Sequence, residues 1–68
     1  MTRTPRQIGM KLKAVREAKE LSQAELASKA RITREYVNRL EAGRSNPTIG
    51  VLQRLAKALG VPVTALLE

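Results

Sequence analysis

No cysteine and no histidine occur among the 68 residues. The first absence excludes disulfides and thiolate metal sites, and the second removes the commonest general base and metal ligand. Aspartate is missing as well, and the six acids are Glu17, Glu20, Glu25, Glu35, Glu41 and Glu68. An active site would have to be assembled from scattered glutamates, so neither enzyme chemistry nor a metal or other cofactor is expected. Tyr36 is the single aromatic residue. No apolar run approaches the ~20 residues of a membrane-spanning helix. The arginines near the N-terminus are followed by no apolar segment of the secretory type. The expectation is a cytoplasmic protein with no membrane partner.

What the chain has in excess is positive charge. Thirteen Lys and Arg against six Glu give +7 at pH 7 and a pI near 10.9. That balance favours a polyanionic partner, either nucleic acid or an anionic membrane surface. The length allows one small domain. Folding at this size buries only roughly 60% of the unfolded surface, so stability rests on high helix content or on association.

The spacing of apolar residues gives the elements. Residues 1–6 (MTRTPR) have no periodicity, and Pro5 discourages a helix earlier than itself. A basic arm is expected there, with the domain proper at 7–68. The arm is either a frayed terminus or a place where Arg3 and Arg6 reach phosphates or a minor groove. Ile8, Leu12 and Val15 fall at i, i+4 and i+7, which predicts a helix over 7–19 with Met10 at the margin of its stripe. Ser22 and Glu25 fit a capping box, opening a second helix that runs to about Lys29 and buries Leu26, Ala27 and Ala30. Ala30, Arg31 and Ile32 form the turn, with Arg31 at the left-handed position that glycine often fills. Thr33 caps a third helix over 34–42, with Val37 and Leu40 inward and Gly43 ending it. Thr48 caps a fourth, whose inward set is Ile49, Leu52, Leu55, Ala56 and Leu59, and Gly60 stops it. Residues 63–67 make a last short helix, with no strand, repeat or linker anywhere.

Setting Val37 and Leu40 inward at about 100° per residue turns Glu35, Asn38 and Arg39 outward, with Arg34 on the flank. In a major groove an arginine pairs bidentately with guanine, worth about 1–3 kcal/mol of discrimination. Glu35 accepts from cytosine N4 in such a setting, and Asn38 reads adenine or holds a phosphate. The plainer alternative is a solvated face, with Arg31–Glu35 and Glu35–Arg39 as i,i+4 pairs worth about a few tenths of a kcal/mol. Tyr36 lies at the boundary of the inward face. Either its ring packs on the core or its hydroxyl also meets a phosphate.

The segments VREAKELSQAELASKA (15–30), ITREYVNRLEAG (32–43) and NPTIGVLQRLAKALGV (46–61) resemble the lambda-repressor-like, Xre-type helix-turn-helix domains of the phage repressor and Cro group. The resemblance implies an all-α, compact five-helix bundle whose second and third helices form the DNA-binding unit. It places base contacts at Arg34, Glu35 and Arg39, with Asn38 on the same face. Backbone contacts are implied at Ser22 and Gln23 and in the clamping loop of Arg44, Ser45 and Asn46, and Thr33 and Tyr36 are further candidates for backbone contact by their place on the third helix. Ser22 is a cap in either case. The resemblance also aligns Arg16 and Glu41 with a buried ion pair, the alternative being two exposed charges. Val61, Val63 and Leu67 are implied at a dimer contact, the alternative being that they fill the monomer core with Leu66. Arg31, where the family usually has glycine, is the departure.

The expected function is therefore a sequence-specific regulator of transcription. It would act as a homodimer on a pseudo-palindrome of double-stranded DNA, of repressor or controller type, and nearly the whole chain would be its DNA-binding domain. The rivals are an antitoxin-like or protein-partner-binding module, its partner unidentified, and a basic amphipathic membrane binder. The latter would need one long apolar face, whereas here the apolar residues are shared among five short elements.

Overall fold

Local capping chemistry sets where each helix starts. The computed structural model describes residues 4–67, so Arg3 and Glu68 lie outside the described residues. Helix α1 is Pro5–Ala18, α2 Gln23–Ala30, α3 Arg34–Glu41, α4 Ile49–Leu59 and α5 Thr64–Leu67. The fold is all-helical, as the sequence implies.

Helix α1 begins two residues before the expected Gln7. Thr4 accepts from the Gln7 N–H at 3.1 Å, and the Gln7 side chain accepts from the Thr4 N–H at 2.9 Å. Pro5 occupies the first helical position, where its missing N–H would have had no partner anyway. Pro5 and Arg6 therefore belong to the first helix, and not to an arm. Ser22 and Glu25 form the second capping box, with bonds of 2.8 and 3.0 Å. Thr33 and Thr48 cap α3 and α4 by accepting from the Tyr36 and Val51 N–H groups, each at 3.1 Å.

Left-handed residues end the elements. Arg31 takes φ 60°, ψ 44° after α2. A non-glycine residue there costs roughly 1–2 kcal/mol. Arg54 on α4 reaches back to this turn, its Nε donating to the Ala30 carbonyl at 3.0 Å and its Nη2 to the Arg31 carbonyl. The arginine holds from outside a turn that glycine would make unaided. Gly43, at φ +74°, follows α3, and a Cβ built on it would stand 2.9 Å from the Arg6 Cα. Backbone freedom and space thus both require glycine there.

The core joins Ile8 and Leu12 of α1, Leu26, Ala27 and Ala30 of α2, Val37 and Leu40 of α3, Leu52, Leu55, Ala56 and Leu59 of α4, and Leu66 of α5. Leu26, Val37 and Leu55 have no exposed surface. Ile49 is a correction: expected inward, it is 75% exposed. It opens α4, and helical side chains lean toward the N-terminus. Its side chain therefore projects past the end of the helix, beyond the packed layer that Leu52 begins. Met10 is exposed as well.

Candidate nucleic-acid interface

The interface is built outward from a buried charge pair. Arg16 and Glu41 are 8% and 9% exposed, and their side chains meet twice, Nε to Oε2 at 2.6 Å and Nη2 to Oε1 at 3.0 Å. Arg16 Nη1 also donates to the Leu21 carbonyl at 2.7 Å. One guanidinium thus ties α1 to the last turn of α3 and to the segment leading into α2. The Glu41 hydrogen bond holds the Arg16 guanidinium above its ordinary pKa. Burial opposes this, and the charges of Glu41 and Glu17 reinforce it.

From Glu41 the network runs to the surface. Gln23 donates its Nε2 to Glu41 Oε1 at 3.0 Å, and its Oε1 accepts from Asn38 Nδ2 at 3.4 Å. The N-terminus of α2 is thereby fixed beside the outward face of α3. Arg39 continues the same face. Its guanidinium lies 5.5 Å from the centroid of the Tyr36 ring, and its Nε donates to Ser45 Oγ at 3.4 Å. Ser22, Gln23, Asn38, Arg39, Tyr36 and Ser45 consequently form one continuous surface from α2 to the loop after α3.

Arg34, Glu35, Asn38 and Arg39 are all exposed, while Val37 and Leu40 between them are buried. Arg34 and Glu35 have no side-chain hydrogen bond or ion pair among the described residues. Thr33 and Ser22 are exposed, their hydroxyls occupied as caps. Tyr36 is half-buried against the core. Arg44 and Asn46 are exposed, with Ser45 half-buried between them. The face carries three arginines, polar amides and hydroxyls and the Glu35 carboxylate, with the exposed Glu25 carboxylate beside Ser22. Such a surface is suited to phosphates and base edges. Val61, Val63 and Leu67 lie elsewhere, half-buried against the core near α5.

Sequence reasoning missed three features of this framework. Arg54 has partners 24 and 23 residues away, with no local signal. The link from Gln23 to Glu41 spans 18 residues and is equally silent. Gly9 did carry a signal, a glycine inside a helical pattern, which marks close backbone approach. A Cβ there would stand 2.1 Å from the Leu40 carbonyl oxygen, so α1 and α3 meet at that glycine.

Comparison with known proteins follows the same lines. The model of the helix-turn-helix family HTH_3 matches residues 12–66. The immunity repressor protein of Bacillus phage phi105 is 39% identical over 59 residues, covering 87% of this chain and 41% of its own length. The regulator SinR of Bacillus subtilis is 36% identical over 62 residues, covering 90% of this chain and 56% of its own. The chain thus spans about half or less of these two relatives. Among solved structures, the restriction-modification controller protein C.AhdI from Aeromonas hydrophila superposes with a TM-score of 0.89 at 34% identity, covering 91% of this chain and 94% of that one. The hypothetical transcription factor NHTF from Neisseria superposes with a TM-score of 0.91 at 30% identity, covering 97% and 76%. From capping boxes to arginine-bearing third helix, the chain belongs to the helix-turn-helix family HTH_3.

Proposed function

We propose that this chain is a sequence-specific regulator of transcription, of repressor or controller type, acting in the cytoplasm as a homodimer on pseudo-palindromic double-stranded DNA. The observation that carries the reading is the outward face of α3. Arg34 and Arg39 are exposed on it, Glu41 anchors the neighbouring Gln23 from below, and Gln23 in turn accepts from Asn38. In this reading Arg34, Glu35, Asn38 and Arg39 contact base edges. Ser22, Gln23, Thr33, Tyr36, Arg44, Ser45 and Asn46 hold phosphates, fixing register without specifying sequence. The relatives' descriptions as an immunity repressor and a restriction-modification controller protein support the regulatory role.

Dimerisation follows from specificity. A single module this small reads few base pairs, and two-fold symmetry doubles the site. Val61, Val63 and Leu67 supply the contact, keeping part of their apolar surface outside the monomer core. The test is selection of bound duplexes from a random pool at near-physiological salt. Recovery of two inverted half-sites about one helical turn apart is expected. A single unrepeated half-site would remove the symmetric dimer, and no enrichment would refute sequence reading altogether.

A further inference from the structure

A second basic feature stands apart from the α3 face. A cleft of about 850 Å3 opens between the C-terminal end of α2 and α4, lined by Lys29, Ala30, Arg31, Arg54, Lys57 and Ala58. Four of these six side chains are cationic and none is acidic. None of the four is ion-paired, because the salt bridge among the described residues is Arg16–Glu41. Glu25, one turn before Lys29, is within its electrostatic reach, but the Glu25 carboxylate is engaged by the Ser22 N–H at 2.8 Å. Arg54 is pre-organised. Its Nε and Nη2 are committed to the Ala30 and Arg31 carbonyls, while Nη1 has no partner among the described residues.

Lys29 and Lys57 sit in the last turns of α2 and α4, where the helix ends are negative and offset part of their charge. The like charges that remain around one concavity repel each other, and a multivalent anion placed between them reverses that term. The cleft volume lies in the range of about 300–1,000 Å3 found for small-ligand sites. Its apolar lining is two alanines, with no ring on which a base could stack. Charge is therefore what the lining recognises. The cleft also sits at the end of α2 opposite Ser22 and Gln23, about 12 Å along that eight-residue helix.

We propose that the cleft between the C-terminal end of α2 and α4 is an oxyanion site, taking a compact chain of phosphates of the pyrophosphate or triphosphate kind. Arg54, exposed like the others, presents a guanidinium edge held by the Ala30 and Arg31 carbonyls, and Lys29, Arg31 and Lys57 supply charge to the remaining oxygens. The occupant is a free phosphorylated ligand; the rival source of phosphate is the backbone of bound DNA, whose single phosphodiesters stand a nucleotide apart and share only the charge.

The test titrates the full chain with inorganic tripolyphosphate at constant ionic strength while backbone amide resonances are followed. Saturable shifts centred on residues 29–31 and 54–58 are expected. In a K29Q/K57Q variant, at positions with no side-chain hydrogen bond among the described residues, affinity should fall about tenfold or more while the other resonances stay in place. Shifts that fail to saturate, spread over the whole basic surface or persist at full strength in K29Q/K57Q would overturn the site. The same variant separates the sources. If the phosphates belong to the duplex, the slope of log K against log salt for DNA falls by about 0.9 per lost contact, and the polyphosphate site is overturned. If they belong to a free ligand, the slope is unchanged while tripolyphosphate binding is lost.

Discussion

Arg16 and Glu41 stand 25 residues apart and share two hydrogen bonds in the interior. Such a pair adds little net stability over a well-packed apolar pair, yet removing one partner strands the other charge at about 3–5 kcal/mol. Glu41→Ala is therefore expected to lose about that much in denaturant unfolding. Replacing both residues by Met or Leu should recover most of it, and an unchanged midpoint for Glu41→Ala would contradict the pair's role. Glu25 behaves differently because it is exposed. Hydrogen bonds from the Ser22 backbone and hydroxyl hold its carboxyl below the usual glutamate value, desolvation opposes this, and the charge of Lys29 adds to it. A depressed folded-state pKa stabilises the protein above the unfolded value, and that contribution disappears as pH falls through the folded one. The stability gap between wild type and Glu25→Gln should accordingly be present at neutral pH and shrink in acid. A gap that widens in acid would reverse the sign.

At the scale of elements, the α1–α3 contact is the most constrained. Alanine normally favours a helix over glycine by about 1 kcal/mol. At Gly9 the added methyl would meet the Leu40 carbonyl at 2.1 Å, a backbone atom that cannot turn aside. Gly9→Ala should thus destabilise, by about 1–3 kcal/mol as overpacking usually does, and thermal unfolding will show the direction. A stabilised variant would mean that the two helices separate easily. The elements most legible in the sequence are those fixed by neighbours a few residues away. Ser22, Thr33 and Thr48 cap helices because their hydroxyls reach the N–H three residues on, and Gly43 and Gly60 stop helices by adopting positive φ. The outward face of α3 was equally legible, since burying Val37 and Leu40 leaves Glu35, Asn38 and Arg39 no other direction. Pro5 does mark the start of α1, but the lack of apolar periodicity in 1–6 hides the Thr4 cap that lets the helix begin there. Ile49 misled because periodicity knows nothing of where the neighbouring layer ends. Arg54 and the Gln23–Glu41 link had no local trace at all, as both act across the fold.

For the whole molecule, +7 on 68 residues makes attraction to DNA a long-range property that needs no particular sequence. Affinity for any duplex should fall steeply with salt, log K dropping by about 0.9 per phosphate contact for each decade. A flat salt response would contradict phosphate binding by the face described. Net charge gives no selectivity, and in the proposed reading selectivity comes from the few side chains that α3 turns outward. The most direct measurement compares affinities for a selected site and a scrambled duplex at fixed salt, using wild type, Arg39→Ala and Arg44→Ala. Arg39→Ala should collapse the ratio between the two duplexes, losing about 1–3 kcal/mol of discrimination, while Arg44→Ala should weaken both equally. An Arg39→Ala protein that keeps the full ratio would contradict base reading by the α3 face.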